Sequence, residues 1–318
     1  MAEDDTCYVF AGVGSEYSLA PLADFLRKRG RNCIEIDMVR EGWRDALIQA
    51  QRARRRILVS SQHPYMNGHH YHVYYGTDLD VVNVPELQAV LQPHRSYFVP
   101  HDLLSPIKES EIAGLTLFDA VLMPSDSWWY LSTYVRCENV GWIKAAPTNT
   151  PEIARTPLRI AWLPSEIGAW LTRPAGLFEE VYRDLLALRP LFKAPAFPGT
   201  QAMIDLAMGA GCQVFDASVQ SSDLINQSHV VVSNGLSSIC VEAALRGLPT
   251  LCIDDGSVES WYLRDHWKAL PGVAVHAPDG AWALLSSWRD HPERLPSRTS
   301  SVIVSFDFEK TAAIVEAL

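Results

Sequence analysis

The chain has 318 residues, of which 48% are hydrophobic, and a formal net charge of −10. A chain of this length can bury a large core and is expected to form two domains, while its negative charge disfavours a broad non-specific surface for nucleic acid. No stretch is long and apolar enough to span a bilayer, and the acidic start MAEDDT is unlike a secretory signal, so we expect a cytoplasmic protein without a membrane span.

The first part of the chain alternates predicted strands and helices. The opening stretch CYVFAGVGSEYSLAPLADFLRKRGRNCIEIDM indicates a strand, a turn with Gly12 and Gly14, an amphipathic helix and a second strand. A helix near residues 43–54 precedes the strand RILVSS, and the arginine run RARRR is more typical of a solvated helix end than of a nucleic-acid site. Further strands are predicted in FDAVLMPSD and in SYFVPHD, which ends at His101 and Asp102. This alternation predicts a doubly wound α/β domain.

The residue types that bind metals show no standard metal motif. The loop QHPYMNGHHYHVYYG carries His63, His69, His70 and His72, but the spacing H-H-x-H fits no standard zinc motif. The tyrosines and Asn67 of this loop suit substrate binding better, and we assign His63 and His69 to that role. Six cysteines are scattered without C-x-x-C spacing, which favours buried thiols. We therefore expect no metal site.

A change of composition divides the chain near its middle. Residues 144–157, KAAPTNTPEIARTP, are rich in proline and threonine and lack an apolar period, which predicts a linker between domains. Strands and helices then resume, so that two similar α/β halves would enclose a cleft. We place the first domain at 1–150, the second at 151–305, and a final helix capped by Asp307 at 306–318.

The stretch VVVSNGLSSICVEAALRGLPTLCI, residues 230–253, is the most informative part of the sequence. Its β-branched run without alternation predicts a strand buried on both faces. The following loop would lie at the amino end of a helix, where N–H groups and the helix dipole favour an anion. The small residues would let a phosphate approach the backbone, although a tight turn whose serines only cap the helix is the alternative. The loop residues are Ser233, Asn234, Gly235, Ser237 and Ser238.

These motifs resemble those of GT-B glycosyltransferases, which have two Rossmann-like domains with the nucleotide donor on the second and the acceptor on the first. The most specific part is the valine strand with S-x-G-x-S-S and E-A-x-x-x-G-x-P, which also resembles the diphosphate loop of CDP-glycerol glycerophosphotransferases and non-hydrolysing UDP-sugar epimerases. The turn AGVGSE has Glu16 where many inverting members carry histidine, and SYFVPHD has Asp102 where the glycerophosphotransferases carry glycine. FKAPAFPG lacks the second histidine of the glycerophosphotransferases. The last helix resembles the closing helix that returns to the first domain.

The resemblance implies a metal-independent glycosyltransferase that moves a sugar from a nucleotide-diphosphate donor to an acceptor hydroxyl, with the donor as substrate and no cofactor. The acceptor could be a glycan, a lipid head group, a metabolite or a modified nucleic-acid base. Two alternatives remain at this point. One is a glycerophosphotransferase or an epimerase on the same fold, and the other is a non-catalytic module that binds a sugar nucleotide or a glycan.

The resemblance also implies roles for donor-binding residues. The loop would bind the diphosphate, and Glu242, one helical turn beyond Ser238, would accept hydrogen bonds from the ribose hydroxyls. Alternatively, Glu242 is a solvated helix residue. Lys193, Asp254 and Asp255 complete the predicted donor set, and the two aspartates could equally cap the next turn.

Three residues are candidates for acid–base chemistry at the acceptor. His101 has an intrinsic pKa suited to a base near neutrality, whereas Glu16 would need its pKa raised by burial. Asp102 would orient His101, or else only cap the following turn. The sequence favours His101 narrowly as the base and leaves Glu16 open. Gly12 and Gly14 would shape the acceptor turn, and His63 and His69 would belong to the acceptor-binding loop.

Overall fold

A computed structural model describes residues 5–12, 19–37, 42–61, 84–101, 109–145, 157–164, 173, 175–195, 199–216, 219–234, 238–255, 273–296 and 305–317. The chain forms two compact units, Met1–Pro147 with Val304–Leu318, and Thr148–Ile303. In the described residues each unit contains one six-stranded parallel sheet with helices on both faces. The predicted α/β class with two doubly wound domains is therefore confirmed.

The first unit has the strand order β2-β1-β3-β4-β5-β6. Its strands are β1 (Thr6–Gly12), β2 (Asn32–Asp37), β3 (Arg55–Ser60), β4 (Arg95–Phe98), β5 (Ala120–Met123) and β6 (Cys137–Asn139). Its helices are α1 (Ala20–Lys28), α2 (Trp43–Gln51), α3 (Val84–Leu91) and α4 (Glu109–Leu115), with 3-10 turns at Asp126–Thr133 and Ile143–Ala145.

Strand β1 is buried along its whole length because helices cover both faces of the sheet. Tyr8 and Phe10 pack with Leu22 of α1, whereas Val9 packs with Leu47 of α2 on the opposite face. Alternate residues of a strand point to opposite faces. An apolar run without polar alternation is thus what a central parallel strand requires.

The second unit has the strand order β12-β11-β10-β7-β8-β9. Its strands are β7 (Ile160–Trp162), β8 (Leu191–Lys193), β9 (Gln213–Phe215), β10 (Val230–Asn234), β11 (Thr250–Ile253) and β12 (Val273–His276). Its helices are α5 (Ala175–Ala187), α6 (Gln201–Gly209), α7 (Ser221–Asn226), α8 (Ser238–Leu245) and α9 (Pro278–Asp290), with a 3-10 turn at Pro292–Arg294.

The valines of β10 form the centre of the second core. Val230 and Val232 pack in the cluster that contains residues of α5, α6 and α9, whereas Val231 packs in the cluster that contains residues of α7 and α8. All three are fully buried. The predicted strand that is buried on both faces is confirmed.

The last helix, α10 (Phe308–Glu316), packs on the first unit. Asp307 caps it as predicted, since its Oδ1 accepts a hydrogen bond from the Lys310 backbone N–H at 2.8 Å. The Phe308 ring lies 5.3 Å from the Phe25 ring, measured between centroids. The Glu316 carboxylate contacts Arg31 at 2.6 Å. Apolar packing and ion pairing together hold this helix on α1 and the segment that follows it.

Two other sequence predictions can be compared directly with the structure. All six cysteines are free thiols, and five of them are buried, as expected. The helix predicted near residues 43–54 ends at Gln51, and the arginine run bridges its end to the start of β3 at Arg55. Among the helices described here, none is long and apolar enough to cross a bilayer.

Candidate functional site

The second sheet has a topological switch point between β7 and β10. In order along this unit, β7 is the first strand and β10 the fourth, so the six strands follow the Rossmann order 3-2-1-4-5-6. The chain leaves these two neighbouring strands toward opposite faces, and open α/β sheets bind ligands at the carboxyl ends of strands at such a point. Ser233 and Asn234, both buried, end β10 at this edge.

The predicted phosphate loop joins this edge to helix α8. Helix α8 begins at Ser238, after a connection of only three residues from the end of β10, so its first backbone N–H groups stand at the carboxyl edge of the sheet. Gly235 and Ser237 lie outside the described residues, as does the side chain of Ser238. The ends of the loop are thus placed where an anion site requires them.

Glu242 is held by an arginine that the sequence analysis did not single out. Its Oε1 accepts a hydrogen bond from Arg246 Nη2 at 2.9 Å, and the side chains are only 13% and 9% exposed. Arg246 Nη1 also donates to the Ser222 carbonyl at 3.2 Å and to Asn226 Oδ1 at 2.9 Å. The spacing of four residues along one helix was the available signal. The Glu242 carboxylate is therefore fixed in orientation while keeping capacity for further hydrogen bonds.

The other predicted donor residues also follow strand ends in this unit. Lys193 ends β8, and its Nζ lies 3.1 Å from Ser221 Oγ at the start of α7. Asp254 and Asp255 follow β11, the neighbour of β10. The Asp254 N–H donates to the His276 carbonyl at 2.8 Å, which attaches this segment to β12. The structure thus places Lys193, Asp254 and Asp255 at the same edge as the loop.

Asp255 has a partner in the core. Tyr182 of α5 is fully buried, and its hydroxyl donates a hydrogen bond to Asp255 Oδ2. Burial, and then the negative charge of Asp255, raise the pKa of Tyr182 well above its ordinary value, so the phenol stays a donor. The Tyr182 ring stacks on Trp162 of β7, with centroids 5.0 Å apart. Tyr182 is a second residue for which the sequence showed no functional signal.

In the first unit, the candidate base His101 lies close to the switch point between β1 and β3. Strand β1 ends at Gly12, β3 is followed by Ser61, and His101 comes three residues after β4. The His101 Nδ1 lies 3.2 Å from the Ser61 carbonyl oxygen. Since a carbonyl only accepts, Nδ1 carries the proton, and Nε2 of the neutral ring carries the lone pair. Trp142 Nε1 donates to the His101 carbonyl at 3.2 Å and fixes its backbone.

The remaining acceptor residues lie outside the described part of the chain. These are Gly14, Glu16, His63, His69 and Asp102. The orientation of His101 that the sequence analysis assigned to Asp102 is supplied, on the Nδ1 side, by the Ser61 carbonyl. Ser61 is a hydrogen-bond partner of His101 that the sequence pattern did not reveal.

Five of the six cysteines have thiols that are unsuited to nucleophilic catalysis. Burial raises the pKa of Cys7, Cys137 and Cys212 to about 11 and that of Cys33 to about 12. A hydrogen bond with the Cys240 thiol, followed by burial, raises the pKa of Cys252 further. A thiol with a raised pKa holds little of the thiolate that attacks substrates. Over the described ranges no three His, Cys, Asp or Glu side chains form a group that could hold a metal ion.

The chain has two parallel, doubly wound sheets, and the second has the Rossmann order. This is the two-domain α/β architecture of the GT-B fold. Solved structures that resemble this one include MurG of Acinetobacter baumannii, with 11% sequence identity, coverage of 98% of this chain and 99% of that chain, and a TM-score of 0.50. The glycosyltransferase SsfS6 of Streptomyces sp. SF2575 matches with 14% identity, 98% and 96% coverage and a TM-score of 0.42. The glycotransferase of kitacinnamycin matches with 11% identity, 91% and 90% coverage and a TM-score of 0.40.

No protein-family model and no curated protein sequence matches the chain. At 11% identity, the likeness to MurG establishes the fold. The GT-B fold that the sequence resemblance implied is therefore confirmed.

Proposed function

We propose that this protein is a glycosyltransferase that moves a sugar from a nucleoside-diphosphate donor to an acceptor hydroxyl without a catalytic metal. The nucleotide binds to the second unit, and the first unit supplies the acceptor site and the base. The observation that carries the proposal is that the buried end of β10 and the first turn of α8, which flank residues 235–237 in the sequence, lie at the switch point of the second sheet. A diphosphate in that position meets backbone N–H groups and the positive end of a helix dipole.

Charged side chains at the same edge complete the proposed donor site. Lys193 supplies a positive charge for the diphosphate, and Glu242, oriented by Arg246, accepts hydrogen bonds from the ribose hydroxyls. Asp254 and Asp255 face the sugar. As the bond between the anomeric carbon and the diphosphate oxygen breaks, its electron pair leaves with the diphosphate. Fixed N–H donors and Lys193 then stabilise the developing charge, which removes the need for a metal ion.

His101 is the proposed base. The acceptor hydroxyl gives its proton to His101 Nε2, and its oxygen forms the new bond to the anomeric carbon. The hydrogen bond from Nδ1 to the Ser61 carbonyl holds the ring in the tautomer that this step requires. Glu16 contacts the acceptor and is the competing candidate for the base.

Nucleotide binding tests the donor site. Thermal shifts against UDP, GDP, CDP and dTDP and their sugar conjugates identify a nucleotide, because a ligand that binds only the folded state raises stability. Gly235→Val should then reduce the calorimetric affinity for that nucleotide at least tenfold, since the added side chain blocks close approach of the phosphates to the backbone. Gly209→Val is the control, because Gly209 is an exposed helix end in the same unit with open space around it. Unchanged affinity in a folded Gly235→Val protein would rule out the phosphate loop.

Turnover tests the base, and the assay is run in EDTA, where metal-independent transfer should proceed at its full rate. We expect His101→Ala to lower turnover by about two to four powers of ten while the donor affinity stays unchanged. A near-normal rate for His101→Ala beside a collapsed rate for Glu16→Gln would assign the role to Glu16. Donor binding with neither transfer nor hydrolysis in the unmodified protein would indicate a non-catalytic sugar-nucleotide module instead.

A further inference from the structure

The buried pair of Tyr182 and Asp255 links the core of the second unit to the edge where the donor is proposed to bind. Tyr182 is fully buried on α5, and Asp255 lies half-buried two residues after the end of β11. Strand β11 pairs directly with β10, with Asn234 opposite Ile253. Neighbouring strands are about 4.8 Å apart, so Asp255 follows the strand next to the one that leads into the phosphate loop.

The Tyr182 hydroxyl is held from several sides. Its ring stacks on Trp162 at 5.0 Å and on Phe178 at 4.7 Å, and it contacts the Trp282 ring at 5.8 Å. A phenol packed on three rings cannot change its direction without disturbing the core. Asp255 Oδ2 therefore accepts from a donor whose position is fixed.

We infer that Tyr182 is a positioning residue for the donor's sugar, which acts by holding the Asp255 carboxylate toward a hydroxyl of that sugar. The inference rests on the proposed function, and it distinguishes Asp255 from its neighbour. Asp254 is attached through its backbone N–H to β12, whereas Asp255 is attached through its carboxylate to the core. Binding groups in preorganised sites are held by just such supporting hydrogen bonds. One bond to Tyr182 uses one of about four acceptor positions of the carboxylate.

The test compares the sugar conjugate with the free diphosphate. The conjugate of UDP, GDP, CDP or dTDP with glucose that binds the unmodified protein is titrated by calorimetry, together with the matching free diphosphate. Tyr182→Phe keeps the ring and removes only the hydroxyl. We expect it to weaken binding of the conjugate about tenfold and to leave the affinity for the free diphosphate unchanged, because only the conjugate reaches Asp255.

Tyr97→Phe is the matched control. Tyr97 is a buried tyrosine of the first unit whose hydroxyl donates to the Ile314 carbonyl at 3.2 Å. Removal of this hydroxyl breaks a comparable buried hydrogen bond. The ratio of the affinity for the conjugate to the affinity for the free diphosphate should therefore be the same as in the unmodified protein. A purely structural role for Tyr182 would make the two variants alike.

Asp255→Asn provides a second route if Tyr182→Phe does not fold, because the amide oxygen still accepts from Tyr182 while the charge is lost. Asp255→Asn should also weaken binding of the conjugate without changing the affinity for the free diphosphate. Equal affinities of the conjugate for unmodified, Tyr182→Phe and Asp255→Asn proteins, or equal losses for conjugate and diphosphate, would overturn the inference while leaving the donor site intact. Absence of binding of every nucleotide and conjugate to the unmodified protein would refute the proposed function, and the inference would fall with it.

Discussion

Two buried tryptophans of the second unit differ in how their indole N–H groups are satisfied. Trp282 Nε1 donates to the Val181 carbonyl at 3.1 Å. Trp162 is fully buried, yet across the described ranges its Nε1 has no acceptor within hydrogen-bond distance. A buried donor without a partner costs roughly 1–3 kcal/mol of stability. Trp162 thus stabilises the core by ring stacking but leaves one buried N–H group without a hydrogen bond.

Replacement of each tryptophan by phenylalanine should reveal this difference. Both substitutions remove ring volume from the same core, but only Trp282→Phe also loses a hydrogen bond. We expect Trp282→Phe to lower the free energy of unfolding by about 1 kcal/mol more than Trp162→Phe. Urea unfolding of the two variants measures the difference. A larger loss for Trp162→Phe would mean that its N–H makes a favourable interaction in solution.

The sequence identifies the proposed donor-binding residues but not the residues that hold them in place. Glu242 falls on the predicted helix, and its partner Arg246 was within reach at a spacing of four residues. The partner of Asp255, in contrast, lies 73 residues away. An aromatic residue on an amphipathic helix has the pattern of any core residue, so no local signal distinguishes Tyr182 from Phe178. Long-range polar pairs of this kind become visible only when the strands have been placed side by side.

At the scale of elements, one glycine lets the chain return to the first unit. Gly141 follows β6 with φ at +82°, and a Cβ added to it would lie 2.3 Å from the Ser305 carbonyl oxygen. The Asp307 N–H donates to the Val140 carbonyl at 2.8 Å beside it. The close approach of two backbone segments requires a residue without a side chain.

Gly141→Ala should therefore destabilise the protein more than another glycine with the same backbone conformation. Gly42 has φ at +87° and nothing within 4 Å of an added Cβ. Both substitutions incur the cost of the left-handed conformation, about 1–2 kcal/mol. Gly141→Ala adds a clash with backbone that we expect to cost a further 1–3 kcal/mol or so. Thermal unfolding of the two variants compares them directly, and equal melting temperatures would contradict the close approach at Ser305.

The predicted elements are most accurate where apolar runs are long. The strands around Val9, Val121 and Val231 and the helix that Asp307 caps occur as predicted. Strands β6 and β12 lie at the edges of their sheets and are only partly buried, so they lack the long apolar run of a central strand. Helix α9 contains Gly280 and two serines, which weaken its helical pattern. Its stability comes from packing of Trp282 and Leu285 on the sheet.

For the whole molecule, alternation of strands and helices predicts two doubly wound units, because each strand that is buried on both faces needs helices on either side. The same pattern does not predict the order of the strands across each sheet. The first sheet has the order 2-1-3-4-5-6 and the second the order 3-2-1-4-5-6 when each unit is numbered separately. Strands and helices of the same lengths and hydrophobic periods can form either strand order. The switch points that position the candidate residues therefore required the structure.

The return of helix α10 to the first unit has a consequence for the order in which the protein can be finished during synthesis. The core of the first unit includes Ala312 and Val315, and Arg29 pairs with Glu309 at 2.7 Å. Glu309, Ala312 and Val315 are translated after the whole of Thr148–Ile303. Every residue of the second unit is thus synthesised before α10 can pack on α1 and complete the core of the first unit. The unit that is translated first is completed last, and its exposed apolar face is the part of the nascent chain that most needs protection from aggregation.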